Sequence, residues 1–256
     1  GRDDQDFQAG YRMEYVYLPL LSDLYVFGNL PQHVWSQIMS SCFDFLNMAR
    51  QQKPESNSPE MGQAFSDNFF SYMFINKTKS RLADFLATRS IGGHTKFVVN
   101  NNILPPVSNI VDQLLEKIRP TEPKDISFLH GDFFFGNTFF DFRSTHVTVI
   151  DPRAMLGDGD PTLFGDHRYD VAKLAHSVIG GYDHIINGRS ILEKKSSTDW
   201  FFSPTDISLP HGLDDLILKT ALNSYNMPRA ELLGMASLLF YSMLPLHSDS
   251  SDRQTH

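Results

Sequence analysis

The chain has 256 residues, 41% of them hydrophobic and 20% charged, with a formal net charge of −8 and a sequence pI near 5.6. That is enough apolar material for a sizeable core, and the acidic balance argues against nucleic acid or an anionic membrane as a partner, because both need a basic footprint. Cys42 is the only cysteine, which excludes an intrachain disulfide and a cysteine-based zinc site. No apolar run is long enough to span a membrane, and the polar, acidic start "GRDDQDFQAG" is no signal peptide. The expectation is a cytoplasmic protein, with that start marking a fragment rather than a natural beginning.

Taken in chain order, "YRMEYVYLPLL" (11–21) reads as a short β-rich strand and its exit. Residues 31–50 set Val34, Trp35, Ile38, Met39, Cys42, Phe43, Phe45, Leu46 and Met48 near helical spacing behind Pro31, a favourable helix start. A Pro/Ser/Asn-rich loop follows over 51–62. The pattern then predicts a helix over 69–88, a turn region at "VVNNNILPPV" and a helix over 108–118. The polar linker "RPTEPKD" leads to "ISFLHG" (126–131). A hairpin comes next, "TFFDF" against "HVTVIDP", turned by Arg143-Ser144-Thr145. "GDGDPTLFGDH" reads as loop, 168–181 as a helix closed by glycines, and the remainder as mostly helical. The fold class is therefore α+β, a mainly helical body with a small β-hairpin carrying polar residues near its turns.

Residues 128–142, "FLHGDFFFGNTFFDF", hold seven phenylalanines around His130, Asp132 and Asn137. A carboxylate in so apolar a run is costly unless it is paired or used. Beyond the hairpin turn, "VIDPR" supplies Asp151 and "GDHRYDVAKL" supplies Asp170 at a helix start. Phosphoryl transfer needs one carboxylate to orient and deprotonate the attacking hydroxyl. It also needs a second carboxylate and an amide oxygen to hold magnesium against the nucleotide phosphates. A loop-hairpin-loop unit would bring Asp132, Asn137 and Asp151 to one end of two strands, with the phenylalanines as their scaffold.

The ordered set "HGDFFFGN … VIDPR … GDHRYDVAKL" resembles the aminoglycoside phosphotransferase and choline kinase family, which has the protein-kinase-like fold. Val171 stands where relatives usually carry leucine. The resemblance implies an ATP-dependent, magnesium-requiring kinase that phosphorylates a hydroxyl of a small molecule: a sugar, an amino alcohol or an aminoglycoside-like compound. It implies Asp132 as catalytic base, Asn137 and Asp151 as magnesium ligands, and His130 and Asp170 as braces of the catalytic loop. Residues 1–20 would be the inter-lobe hinge region, with the backbone of Glu14, Tyr15 and Val16 receiving adenine. Residues 21–256 would be a helical C-terminal lobe with the catalytic segment at 126–180. Two departures stand out. Only ten residues precede Tyr11 and the first lysine is Lys53, so the expectation is that the N-terminal lobe is largely absent and that the chain alone grips nucleotide weakly. Pro152-Arg153 also follows the metal aspartate where many relatives carry an aromatic or acidic residue. The alternative function is a non-catalytic, kinase-like binding or regulatory module.

Blander readings stand beside the sharper ones. Asp132 could simply cap a turn, and His130 reads as structural rather than a proton carrier. Lys77, Lys79 and Arg81 read by default as a solvated helix face, with an anionic-substrate site as the alternative. Arg153 reads as a salt bridge within its loop or as a contact to substrate. "FFSYMF" (69–74) and "DWFF" (199–202) read as core packing rather than an amine-binding cage. "GDGD" (157–160) reads as a solvated turn, and nothing beside His247 completes a metal site.

Overall fold

Residues 15–157, 159–205 and 209–244 are described by the structure, a computed structural model. The expected strand at 11–21 is absent from its described part. Leu20 makes one isolated bridge to Phe139, the Pro19 carbonyl accepts from Phe140 N at 3.1 Å, and helix α1 (Leu21–Phe27) begins at once. Pro19 has no N–H with which to extend a ladder.

Helix α2 (Gln32–Gln51) starts behind Pro31 and buries Trp35, Ile38, Met39, Cys42, Phe43, Leu46 and Ala49, a single face of i, i+3, i+4 spacing. The helix expected over 69–88 starts earlier and is not uniform. It runs as α3 (Gln63–Phe70), a π-helical segment (Ser71–Asn76) and α4 (Lys77–Thr88). The expected turn at "VVNNNILPPV" is a tight hairpin, β1 (Val98–Val99) with β2 (Asn102–Ile103). Asn100 and Asn101 both take positive φ, 53° and 65°, which a two-residue hairpin turn of this twist needs and asparagine tolerates. Helix α5 (Val107–Leu115) follows.

Strand β3 (Ile126–Phe128) precedes the hairpin of β4 (Thr138–Asp141) and β5 (His146–Val149), in register Thr138↔Val149 to Asp141↔His146. Met155–Leu156 (β6) pairs with Asp160–Pro161 (β7), and Phe164–Asp166 (β8) lies antiparallel to β3. The stretch expected to be loop thus returns to the sheet, because its apolar end can pair beside β3. Of "GDGD", Asp158 lies outside the described residues, as does His247. Helix α6 (Arg168–Val178) is buried along its whole length, and the short α7 (Tyr182–Ile186) follows Gly181. The chain then forms β9 (Ile191–Lys194) and β10 (Asp199–Ser203) before α8 (Leu213–Tyr225) and α9 (Arg229–Met243). Residues 199–203 are a strand rather than helix. Trp200, Phe201 and Phe202 suit a pleated surface, and β10 joins β1 in parallel to complete a four-stranded sheet, β2-β1-β10-β9.

One core runs from α1 and α2 through Phe133, Phe135 and Phe140 to α6, α8 and α9. Beneath it lies an ion network that holds the start of α6. Arg168, with 0% exposure, donates to both Asp166 oxygens and to Glu231 on α9. Thr121 donates to Asp166 at 2.7 Å, and Arg119 forms a two-pronged pair with Asp125. Among the described residues no helix is long and apolar enough to cross a membrane.

Candidate active site

The loop after β3 turns on Gly131. Its φ is +77°, and a Cβ there would lie 2.7 Å from Cβ of Arg153, so both backbone conformation and space demand glycine. The ring of His130 is 1% exposed and spans the loop. Asp132 N donates to its Nδ1 at 3.2 Å, which makes Nδ1 the acceptor. Nε2 therefore carries the proton and donates to the Ile150 carbonyl at 2.9 Å. Burial lowers the His130 pKa, in keeping with a neutral imidazole.

Asp170, in the first turn of α6, is 2% exposed. Its two oxygens accept from His130 N and Gly131 N, each at 2.8 Å, the bonds expected for a carboxylate buried there. Burial pushes its carboxyl up to about 7, and the two amides hold it from rising further. The phenylalanines divide by face. Phe133, Phe135 and Phe140 are fully buried, Phe133 stacks on Phe45 at 5.1 Å, and Phe135 packs between Tyr25 and Trp35. Ser177 on α6 accepts from Phe135 N at 3.0 Å, pinning the loop a second time.

On this frame Asp132 points its two oxygens at different partners. Oδ2 accepts from Asn137 Nδ2 at 3.0 Å, and Oδ1 meets Lys173 Nζ at 2.7 Å. Asn137 Nδ2 also donates to the Asp132 carbonyl at 3.1 Å, so its amide nitrogen faces Asp132 and its Oδ1 faces away. The Asn137 carbonyl accepts from Ile150 N at 3.1 Å, which sets Asp151 next along the chain beside Asn137. Asp151 is exposed and holds φ +57°, a left-handed conformation that aspartate bears better than most residues. Arg153 N donates to the His130 carbonyl at 2.8 Å, which holds the segment just after Asp151 against the loop that carries Asp132. Asp132, Asn137 and Asp151 thus come to the same end of the hairpin.

Among the described residues no three His, Cys, Asp or Glu side chains group closely enough to hold a metal ion. An outward amide oxygen and an exposed carboxylate suit instead a magnesium that keeps waters and borrows phosphate oxygens. Tyr15 is 72% exposed against Tyr17, and Val16 is half-buried. No hydrogen bond or ring contact joins either to the Asp132 group among the described residues. Glu14 lies outside those residues.

The three basic residues of α4 separate. Lys79 pairs with Asp112 on the surface at 2.6 Å, and Arg81 donates to the Ser242 carbonyl. Lys77 turns inward, 8% exposed, and donates to Tyr169 Oη at 3.1 Å. Arg153 forms no salt bridge among the described residues, and its Nε donates to the Gly131 carbonyl at 3.3 Å. Phe69, Met73 and Phe74 of "FFSYMF" pack in the core, while Trp200 and Phe202 line an apolar cavity with Phe85, Leu86 and Phe97. Lys173 was not singled out from sequence. The signal was its place three residues after Asp170, which puts both on one helical face.

Residues 45–185 match the family model for fructosamine kinase, a stretch that begins within α2 and contains every residue of this constellation. No curated protein and no solved structure matches the chain.

Proposed function

The chain belongs to the fructosamine kinase family, a protein-kinase-like family of small-molecule kinases, and from that premise we propose that it is an ATP-dependent phosphotransferase acting on a hydroxyl of a small, sugar-like acceptor. The observation that carries this reading is the Asp132 carboxylate, held between the Asn137 amide and the Lys173 ammonium and left 29% exposed. A turn cap would be satisfied by backbone amides, whereas this carboxylate is clamped by side chains at the mouth of a rigid loop.

In the reaction the acceptor oxygen attacks the γ-phosphorus, the bond to the β,γ-bridging oxygen breaks, and the hydroxyl proton passes to Asp132. Asn137 Oδ1 and Asp151 are the groups that would hold magnesium. Bound there, the ion would neutralise charge on the nucleotide phosphates. His130, by its two ring hydrogen bonds, and Asp170, by its two amide bonds, keep Asp132 in place. The chain before α1 would meet adenine through the segment of Tyr15 and Val16, and the residues from α1 onward would form the helical lobe beneath. The docking of Pro19 on β4 supports that arrangement.

Asp132→Ala should lower turnover on the order of 10³-fold, within the range for loss of a positioned base, while nucleotide affinity changes only a few-fold. Coupled ATP-consumption assays and nucleotide titration of the full-length protein measure both. Near wild-type turnover would assign the base to another residue. A protein that binds Mg-ATP but transfers phosphate to no hydroxylated acceptor would instead be a binding module.

A further inference from the structure

Three basic side chains gather on one side of Asp132, and the chain supplies them with little negative charge. Lys173 is 6% exposed, pairs with Asp132 Oδ1 at 2.7 Å and lies over the Phe134 ring. Lys77 is 8% exposed and donates to Tyr169 Oη at 3.1 Å, with no carboxylate partner among the described residues. Arg153 packs its stem on Gly131, beside Asp132, and likewise has no ion-pair partner among them. Lys77 meets the Tyr169 hydroxyl, Lys173 lies one turn of α6 beyond Tyr169, and Arg153 packs on Gly131, whose amide binds Asp170, the next residue after Tyr169. Burial alone would raise the Tyr169 pKa, yet Lys77, Lys173 and Arg153 bring it below its usual value. Asp170 is spent on the amides of His130 and Gly131.

A buried ammonium with only a neutral hydroxyl for company is costly. Among the described residues no acidic side chain pairs with Lys77. The local backbone brings Lys77 there. It is the first residue after the π-helical segment Ser71–Asn76, a register change that often accompanies function. Two residues on, Lys79 is an ordinary surface ion pair.

The direction of Asp132 says which ligand these cations face. Its Oδ2 looks toward Asn137, the side proposed for magnesium and nucleotide phosphates, while its Oδ1 looks toward Lys173. We propose that the acceptor carries an anionic group of its own, a phosphate or a carboxylate, seated on Lys77 and Arg153 while its hydroxyl meets Asp132. This rests on the kinase reading of the same site and narrows it from sugar-like acceptors in general to sugar phosphates and sugar or polyol acids.

Matched acceptors test it. ATP consumption by the full-length protein is compared for fructose 6-phosphate against fructose, gluconate against glucose, and glycerate against glycerol. An anionic member should be used with kcat/KM at least about ten-fold above its neutral partner, the scale of one charge-assisted contact. Lys77→Met and the half-exposed Arg153→Gln should each raise its KM by about ten-fold or more, with ATP affinity within about two-fold. Equal use of the neutral partners would overturn the proposal. So would variants that weaken ATP instead of the acceptor, since the cations would then grip the nucleotide. If no acceptor of either kind is phosphorylated, the kinase reading fails, and titration calorimetry with fructose 6-phosphate and with inorganic phosphate decides the anion site separately. Binding that is lost in Lys77→Met keeps it, and no binding to the wild-type protein removes it.

Discussion

Two groups of charge meet the first turns of α6, one around Arg168 and one around Tyr169, and they are built on different terms. Around Arg168, two arginines face three carboxylates, Asp125, Asp166 and Glu231, and nearly every polar atom has a partner. Around Tyr169, three basic groups share the carboxylates of Asp132 and Asp170, and both Asp170 oxygens are taken up by the amides of His130 and Gly131. Balance marks a charge that serves the fold: the linker carrying Thr121, the start of α6 and the body of α9 are tied by pairs that need nothing from outside. Imbalance marks a site that is complete only when a ligand arrives, because desolvated cations with too few anions raise the free energy of the empty protein.

The largest expected difference between the two groups is in stability. Arg168→Met leaves Asp166 and Glu231 buried without their cation and should cost about 3–5 kcal/mol in urea-induced unfolding. A loss below about 1 kcal/mol would show that the network is not the structural half of the contrast.

Asp170 gives an intermediate case, a buried carboxylate paired with amides rather than cations. Asp170→Asn should cost about 1–3 kcal/mol, the penalty for a lost buried acceptor. It should also alter the pH dependence of stability. The folded-state pKa is raised from 3.8 to about 7, so the Asp170 contribution is present below 3.8 and is lost as pH rises toward about 7. Wild-type stability should therefore decline across that window, and the asparagine variant should lack this part of the decline. Asp125 in the network has the opposite sign. Burial disfavours its charge, but Arg119, the Glu122 amide and Arg168 outweigh that and bring it down to about 2, so its contribution is present above 3.8 and lost as pH falls toward 2. Denaturation midpoints measured from about pH 2 to about pH 8, a range wide enough to bracket both windows, separate the two. A variant with an unchanged neutral-pH slope would remove Asp170 from the account.

The smallest expected effect is the most telling one. Lys77→Met should shift stability by no more than about 1 kcal/mol in either direction, because removing an uncompensated buried charge offsets the lost tyrosine hydrogen bond. If it destabilised as much as Arg168→Met, Lys77 would belong with the structural charges, and the contrast would collapse.

Much of the site was legible in the residues themselves. His130, Asp132 and Asn137 sit in one short loop, Asp151 closes the partner strand and Asp170 opens a helix, so local spacing and a hairpin suffice to bring them together. The periodicity of α2, the hairpin turn at 143–145 and the glycines closing α6 were readable for the same reason, since each depends on residues a few positions apart. The strand β8 and the strand character of 199–203 were not, because β8 pairs with β3 and β10 with β1, both far away along the chain.

The kinase-like character of the chain and the residues of the candidate site were readable in the sequence, but the family model matched is that for fructosamine kinase rather than the aminoglycoside phosphotransferase and choline kinase family that the motifs resemble. Tertiary structure decided which charges are spent on the fold and which await a ligand. Lys77 and Lys79 stand two residues apart on one helix, yet one reaches Tyr169 across 92 positions and the other a surface aspartate. Arg168 finds Glu231 across 63. A helical pattern specifies which residues share a face. It does not specify what that face will meet, and the free energy of a buried charge depends almost entirely on what it meets.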